Sequence, residues 1–80
     1  MRAELWRSLL PKDPPRDASV DCDELGRRWT MSGGYIRNAA LRAAFIAAQQ
    51  GADLHQAHIE QAIAAEFAAA GKLSDSGTLE

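Results

Sequence analysis

The segment from Ser32 to Asn38 contains the residue types in this chain that are best suited to binding chemistry. Its order is Ser-Gly-Gly-Tyr-Ile-Arg-Asn, at the predicted start of a helix. In a helix interior each glycine costs roughly 1 kcal/mol relative to alanine, so two glycines here need a physical reason. Either the turn requires their backbone freedom, or a bound group comes close to the positive end of the helix, where free backbone N–H groups attract anions.

Two histidines and one cysteine are the other side chains that could do chemistry. His55 and His58 are three residues apart, a spacing that metal sites use. No third ligand lies beside them in the sequence, whereas catalytic zinc needs three protein ligands. We therefore predict His55 at a helix start and a half-buried His58. Cys22 has no clear base partner, and no Gly-x-x-x-x-Gly-Lys-Ser/Thr loop is present. The sequence predicts no catalytic residue and no metal ligand.

Four helices are predicted to position these residues. Apolar spacing and helix-end signals place them from Glu4 to Leu10, from Asp21 or Cys22 to about Trp29, from a Ser32 cap to about Gln50, and from about Gln56 to Ala70. Asp21 is the predicted N-cap of the second helix. Gly51 and Gly71 are the predicted glycines that end the third and fourth. The predicted fold class is all-α, a small four-helix domain with short connections.

The third predicted helix has two apolar stripes. One consists of Ile36, Ala40, Ala43 and Ala47, and the other of Leu41, Phe45 and Ala48. So wide an apolar arc predicts a central helix packed on both sides. Trp6 and Trp29 are predicted to anchor the core, because each can bury about 150–250 Å². The side chains of Arg27, Arg28 and Arg42 are predicted to lie on solvated helix faces.

Length and composition exclude several classes of protein. The 80 residues suit a single domain, and 46% of them are hydrophobic but only 6% aromatic, with alanine concentrated in two tracts. One cysteine cannot form an internal disulfide, and no apolar run approaches the roughly 20 residues that span a bilayer. The first residues lack the apolar core of a signal peptide. We expect a cytoplasmic protein with no membrane partner.

The charge is divided unevenly along the chain. The formal net charge is −2, but residues 1–42 hold eight of the nine Lys/Arg and six of the eleven Asp/Glu, which gives +2. The remaining residues hold one Lys/Arg and five Asp/Glu, which gives −4. An anion-binding surface is therefore expected in the first half.

A helix-turn-helix DNA-binding module is one alternative for this pattern. The residues from Glu24 to Trp29, the turn at residues 30–33, and Arg37 and Asn38 early in the next helix imitate a DNA-reading motif. The acidic net charge and the alanine-rich second helix argue against it, because phosphate contacts supply most DNA affinity. We do not expect nucleic acid to be a partner. A small helical adaptor for protein partners is the other alternative.

From Leu5 to about Leu73 the chain resembles the C-terminal helical lid of bacterial AAA+ ATPases, of the branch related to classical AAA proteins. The ordered landmarks are Leu-Trp-Arg-Ser-Leu-Leu-Pro over 5–11, Val-Asp-Cys-Asp-Glu-Leu over 20–25 with Trp29, Met-Ser-Gly-Gly-Tyr-Ile-Arg-Asn-Ala-Ala-Leu over 31–41 followed by Ala43-Ala44-Phe45, and the closing stretches 57–59, 66–67 and 71–73. The resemblance implies a lid domain over residues 1–73. We expect a flexible tail over 74–80, with Leu79-Glu80 as a candidate cloning remnant.

The resemblance also implies roles for the Ser-Gly-Gly segment. Ser32, Gly33, Gly34 and Tyr35 would line the nucleotide site on the side of the base and ribose. Tyr35 occupies the position at which relatives have a phosphate-sensing arginine. Arg37 lies two residues further, about 200° around the helix, and is expected, with Asn38, to contact another domain or subunit.

The implied partners are the α/β ATPase domain of the same parent chain and neighbouring subunits of a ring. The implied cofactor is ATP with Mg²⁺ in the parent protein, with none bound tightly to these 80 residues alone. Closing the ATP site and coupling its state to adjoining subunits is the implied function, without catalysis by this chain alone.

Overall fold

The computed structural model describes residues 2–71 and 78–79. Its four helices are α1 (Arg2–Leu9), α2 (Cys22–Arg28), α3 (Gly33–Gln49) and α4 (Gln56–Ala69). Two short strands, β1 (Thr30–Met31) and β2 (Thr78–Leu79), pair in parallel. The predicted all-α, four-helix class is confirmed. The strand pair was not predicted, because two residues are too few to show an alternating pattern.

Local signals set the ends of α2, α3 and α4 within one residue of where the sequence predicts them, whereas α1 begins two residues earlier than the predicted Glu4 and ends one residue before Leu10. The side chain of Asp21 accepts a hydrogen bond from the backbone N–H of Glu24 at 3.1 Å, which is the predicted N-cap of α2. Gly51 and Gly71 follow α3 and α4 with φ of +65° and +73°, a left-handed conformation that favours glycine. Ser32 is the N-cap residue of α3, but its side chain makes no capping hydrogen bond.

The core lies where α3 packs against α4 and α1, and where α1 packs against α2. Its largest fully buried side chains are Trp6, Leu25, Ile36, Leu54, Ile59 and Ile63. The predicted stripe of Ile36 and three alanines on α3 is fully buried. Small methyl groups there let the helix backbones come close. Trp6 anchors this core as predicted, whereas Trp29 is half-buried and packs against its edge.

The second apolar stripe of α3 is not covered by the described part of the chain, so the prediction of a helix packed on both sides is wrong. Leu41 is 55% exposed and Phe45 is 63% exposed, and Ala48 is exposed as well. The physical reason is the number of elements available. Helices α1 and α4 cover one side of α3, and no other described helix lies over the opposite side.

The connector between α1 and α2 is held to the turn between α3 and α4. The backbone N–H of Asp17 donates to the carbonyl of Leu54 at 2.7 Å, and the N–H of Leu54 donates to the carbonyl of Pro15 at 2.8 Å. Leu54 is fully buried, although the sequence predicts only a turn at this position. The two bonds therefore tie the first half of the chain to the second.

Helices α1 and α2 come close together at Gly26. A Cβ atom at this position would lie 2.7 Å from the backbone nitrogen of Ala3. The Nε of Arg2 also donates to the carbonyl of Gly26 at 3.0 Å. This crossing requires glycine.

The predicted domain end at residue 73 and most of the predicted tail lie outside the described residues. Within 74–80, the structure describes only the backbone of Thr78 and Leu79, which pairs with Thr30 and Met31.

Candidate functional site

The predicted binding segment forms the exposed N-terminus of α3. Ser32, Gly33, Gly34, Arg37 and Asn38 are exposed, while Tyr35 is half-buried and packs against the core. A shallow, open depression is lined by Ser32, Gly34, Tyr35, Arg37 and Asn38. The buried side chain of Ile36 fixes this turn of helix to the core. The structure thus presents five of the six predicted residues around one depression, with Gly33 beside it.

Neither glycine is required by the chain around it. Gly33 and Gly34 do not have positive φ, and a Cβ atom at either position would meet nothing within 4 Å in the described structure. Turn geometry and internal packing therefore do not explain the two glycines. The backbone at both positions is open to the approach of a group that does not belong to the described residues.

The electrostatics of this helix end favour an anionic group. The first intrahelical bond of α3 runs from the N–H of Ile36 to the carbonyl of Ser32, at 3.0 Å, so the N–H groups before Ile36 have no partner within the helix. The first turn contains no acidic residue, and the Ser32 side chain makes no cap. Arg37 has no ion-pair partner among residues 2–71. The helix dipole and Arg37 both give this end positive potential.

The histidines form a structural cap for α4. The N–H of His55, the N-cap residue, donates to Nδ1 of His58 at 3.0 Å, so the Nε2–H of His58 donates to Oε1 of Gln50 at 2.9 Å. His58 is 8% exposed, which is more buried than predicted, and both of its nitrogens are occupied. The described residues contain no cluster of three or more His, Cys, Asp or Glu side chains that could hold a metal ion.

His55 and Asp17 extend this cap to the α1–α2 connector. The Nδ1–H of His55 donates to the carbonyl of Asp53 at 2.8 Å, and its Nε2 lies 3.5 Å from Oδ1 of Asp17. The backbone N–H of Ser19, which donates to Asp17 at 2.9 Å, is the main cause that holds the pKa of Asp17 below its usual value. The Ser19 hydroxyl and the charge of His55 lower this pKa further. The cluster stabilises the fold rather than forming a reactive site.

Cys22 has the environment of an unreactive thiol. It is buried at the start of α2, and burial raises the pKa of its thiol. Arg16 and Arg7 counteract that effect without reversing it. Because the thiolate is the nucleophilic form, this environment disfavours covalent catalysis at Cys22.

An ion pair between α3 and α4 was missed in the sequence. Glu66 is 6% exposed, and its Oε2 lies 3.1 Å from Nε and 3.0 Å from Nη2 of Arg42. Arg42 was predicted to be solvated, and about half of its side chain is exposed. The two residues are 24 positions apart, so no local pattern connects them.

The other two arginines lie at the surface as predicted, and one of them bridges helices. Arg28 stacks over the ring of Trp29, 4.3 Å from its centroid, and its guanidinium lies 3.4 Å from Glu60 on α4. Exposed pairs of this kind contribute little to stability, and Arg27 remains exposed.

Comparisons of the chain with protein-family models, with curated proteins and with solved structures found no match. Among the described residues, no helix combines the length and the apolar character needed to cross a bilayer.

Proposed function

We propose that this chain is the helical lid of an AAA+ ATPase, which closes over an ATP site and passes the state of that site to adjoining domains. Two features support the proposal. Four helices occur in the order that the sequence resemblance implies, and the Ser-Gly-Gly turn lies at an exposed helix N-terminus. The lid acts together with an α/β ATPase domain of the same parent chain and with neighbouring subunits of a ring.

The observation that carries the proposal is the open space at Gly33 and Gly34. Each position lacks a side chain, lacks a positive φ and has no neighbour within 4 Å that a Cβ would meet. Such a surface admits a flat ligand against the backbone, as the base and ribose side of a nucleotide pocket requires. ATP with Mg²⁺ fits here as a ligand held mainly by the parent's α/β domain, because these residues supply only one wall.

Each residue of the site has a positioning role in this proposal. Gly33 and Gly34 let the backbone contact the nucleotide, while Ser32 and Tyr35 border it and exclude water. Arg37 and Asn38 line the same depression as Gly34, and they bind the α/β domain or a neighbouring subunit beside the nucleotide. ATP supplies the free energy of its hydrolysis in the parent, and no residue described here acts as its base or nucleophile. We expect no Mg²⁺-dependent ATP turnover by the 80 residues alone.

The first test is the genomic reading frame upstream of the codon for Met1. We expect it to continue into an α/β domain that contains a phosphate-binding loop, because the lid covers a nucleotide held by that domain. Sequencing the locus is sufficient to read the frame. A frame without such a loop contradicts the proposal.

The second test places a side chain in the open space. In the longer protein, we expect Gly34→Val to weaken ATP binding by about tenfold, equivalent to about 1.4 kcal/mol, because the new methyl groups hold the nucleotide away from the backbone. Ala57→Val is the matched control, since Ala57 is exposed at the same position of α4 as Gly34 of α3. Equal nucleotide affinities for the two variants, measured by titration calorimetry, would contradict the role of Gly34.

The helix-turn-helix alternative has less support. The exposed side of α3 that would enter a DNA groove presents Leu41 and Phe45 beside Arg37. Base edges in the major groove are read mainly by hydrogen-bonding side chains. Titration of duplex DNA at low salt tests this alternative, and we expect no binding that Arg37→Ala weakens.

A further inference from the structure

The outer face of α3 is an apolar stripe without a cover in the described structure. Leu41 and Phe45 lie one helical turn apart and are 55% and 63% exposed, and Ala48 continues the stripe toward the end of the helix. Exposed apolar side chains that are adjacent on one face are typical of an interaction site, whereas isolated ones are not. The proposed nucleotide contact at Gly33 and Gly34 does not use Leu41 or Phe45.

The two ends of this stripe have opposite charge. At the N-terminal end, Arg37 lines one shallow depression together with Gly34. At the C-terminal end, Asp13 and Asp53 line another depression together with Ala48. None of these three charged side chains forms an ion pair within the described residues. The helix dipole adds to the same polarity, because the N-terminus of α3 is positive and its C-terminus negative.

We propose that this face binds a second copy of the chain, with the two α3 helices antiparallel across a two-fold axis that passes between Leu41 and Phe45. In this arrangement Leu41 packs against the partner's Phe45 and the reverse contact is identical, as a two-fold interface requires. The positive end of each stripe then meets the negative end of the other. Arg37 leans toward the N-terminus of its own helix, as helical side chains do, and there it faces the partner's Asp53.

The stripe favours a second copy over an unrelated partner because it is complementary to itself. A partner surface with charge of one sign would pair with one end and leave the other end facing a like charge. An antiparallel copy pairs both ends and both apolar side chains at once. The apolar centre consists of two large side chains, and stable interfaces bury about 1,200 Å² or more. The dimer is therefore weak, with dissociation in the micromolar to millimolar range.

Self-association and the proposed lid function use overlapping residues, since both bury Gly34 and Arg37. A parent α/β domain docked at this helix end would exclude the second copy. The dimer is nevertheless a property of the 80-residue chain by itself, so its test does not depend on a parent ATPase.

Sedimentation equilibrium of the 80-residue chain, from micromolar to millimolar concentration, measures the association. We expect the average mass to rise from 8.7 kDa toward twice that value. Phe45→Ser should raise the dissociation constant at least about tenfold, because each dimer loses two buried rings. Leu5→Ser is the matched control, since Leu5 is 38% exposed on α1, away from the stripe, and it should leave the dissociation constant unchanged.

Charge reversal tests the antiparallel geometry. Arg37→Asp and Asp53→Arg should each weaken the dimer several-fold, and the double variant should restore it, because the reversed charges again face each other. Circular dichroism confirms that every variant is folded. The proposal is overturned by a chain that stays monomeric throughout, by a dimer that Phe45→Ser leaves intact, or by a double variant that is as weak as the single ones. None of these results bears on the upstream reading frame, which tests the lid function.

Discussion

Two helical glycines differ in what surrounds them. Gly26 lies against the backbone of α1, where a Cβ would come within 2.7 Å of the Ala3 nitrogen. Gly34 faces open space, where a Cβ would meet nothing within 4 Å. The first glycine serves the fold, since α1 and α2 cannot otherwise come this close. The second has no such role in the described structure and is therefore available for binding.

Alanine at these two positions should change stability in opposite directions. We expect Gly26→Ala to lower the free energy of unfolding by about 1–3 kcal/mol, because α1 must shift to admit the methyl group. Gly34→Ala should raise it by about 0.5–1 kcal/mol, because alanine favours the helix and reduces the freedom of the unfolded chain. Urea denaturation of the isolated chain measures both. A loss of stability in Gly34→Ala would show that the position is constrained within the fold.

Asp17 should make the stability of the chain depend on acid pH. The Ser19 N–H, the Ser19 hydroxyl and His55 lower the pKa of Asp17 in the folded state. The stability from these contacts is fully present above the pKa of the unfolded carboxyl, and it is lost as the pH falls through the lower folded pKa.

We therefore expect Asp17→Asn to lower the urea midpoint of unfolding near neutral pH. The difference in midpoint between this variant and the unsubstituted 80-residue chain should shrink as the solution is acidified. Asp13→Asn is the control in the same connector, since Asp13 makes no side-chain hydrogen bond to the described residues. This role is contradicted if the difference in urea midpoint between Asp17→Asn and the unsubstituted chain stays constant down to strongly acid pH.

At the scale of elements, the start of α4 depends on an unusual cap. A Glu or Gln commonly occupies the third helical position and reaches back to the N–H of the N-cap residue. Here His58 takes that position and accepts from the N–H of His55 through Nδ1, while its Nε2–H holds Gln50 at the end of α3. One side chain thus joins the end of α3 to the beginning of α4.

Two substitutions of His58 should distinguish the stability that comes from its capping hydrogen bonds from the stability that comes from burying its ring. We expect His58→Leu to lower the free energy of unfolding by about 1–3 kcal/mol, because the His55 N–H and the Gln50 amide lose their partner. His58→Gln should recover part of that loss, since its amide oxygen can accept from the N-cap. Thermal unfolding followed by circular dichroism measures both variants. Equal losses in the two would mean that packing, not the capping bond, is what His58 contributes.

At the scale of the whole molecule, one side of α3 belongs to the core and the other faces outward. The buried side packs mostly methyl groups against α4 and α1. The outward side has Arg37 at its positive end, Leu41 and Phe45 in its centre and two carboxylates at its negative end. The lid and dimer proposals both use this outward side, and they exclude each other at Gly34 and Arg37. In both proposals the central helix serves the fold with one side and binds a partner with the other.

Local sequence alone determined the four helices of the described residues and where α2, α3 and α4 end to within one residue. Asp21, Gly51 and Gly71 act through bonds and backbone angles within a few residues of themselves, so their effects can be predicted without the fold. The sequence also identified the Ser32–Asn38 turn, because the cost of helical glycine is a local quantity.

Only the tertiary structure decided which apolar stripe of α3 is buried. It also decided that Leu54, Glu66 and Gly26 contact residues far away in the sequence. Helical periodicity places Ile36 and Phe45 on different sides of one helix, but it contains no information about which side a neighbouring helix will cover. That depends on contacts between residues far apart in the sequence, which form only when the chain is folded.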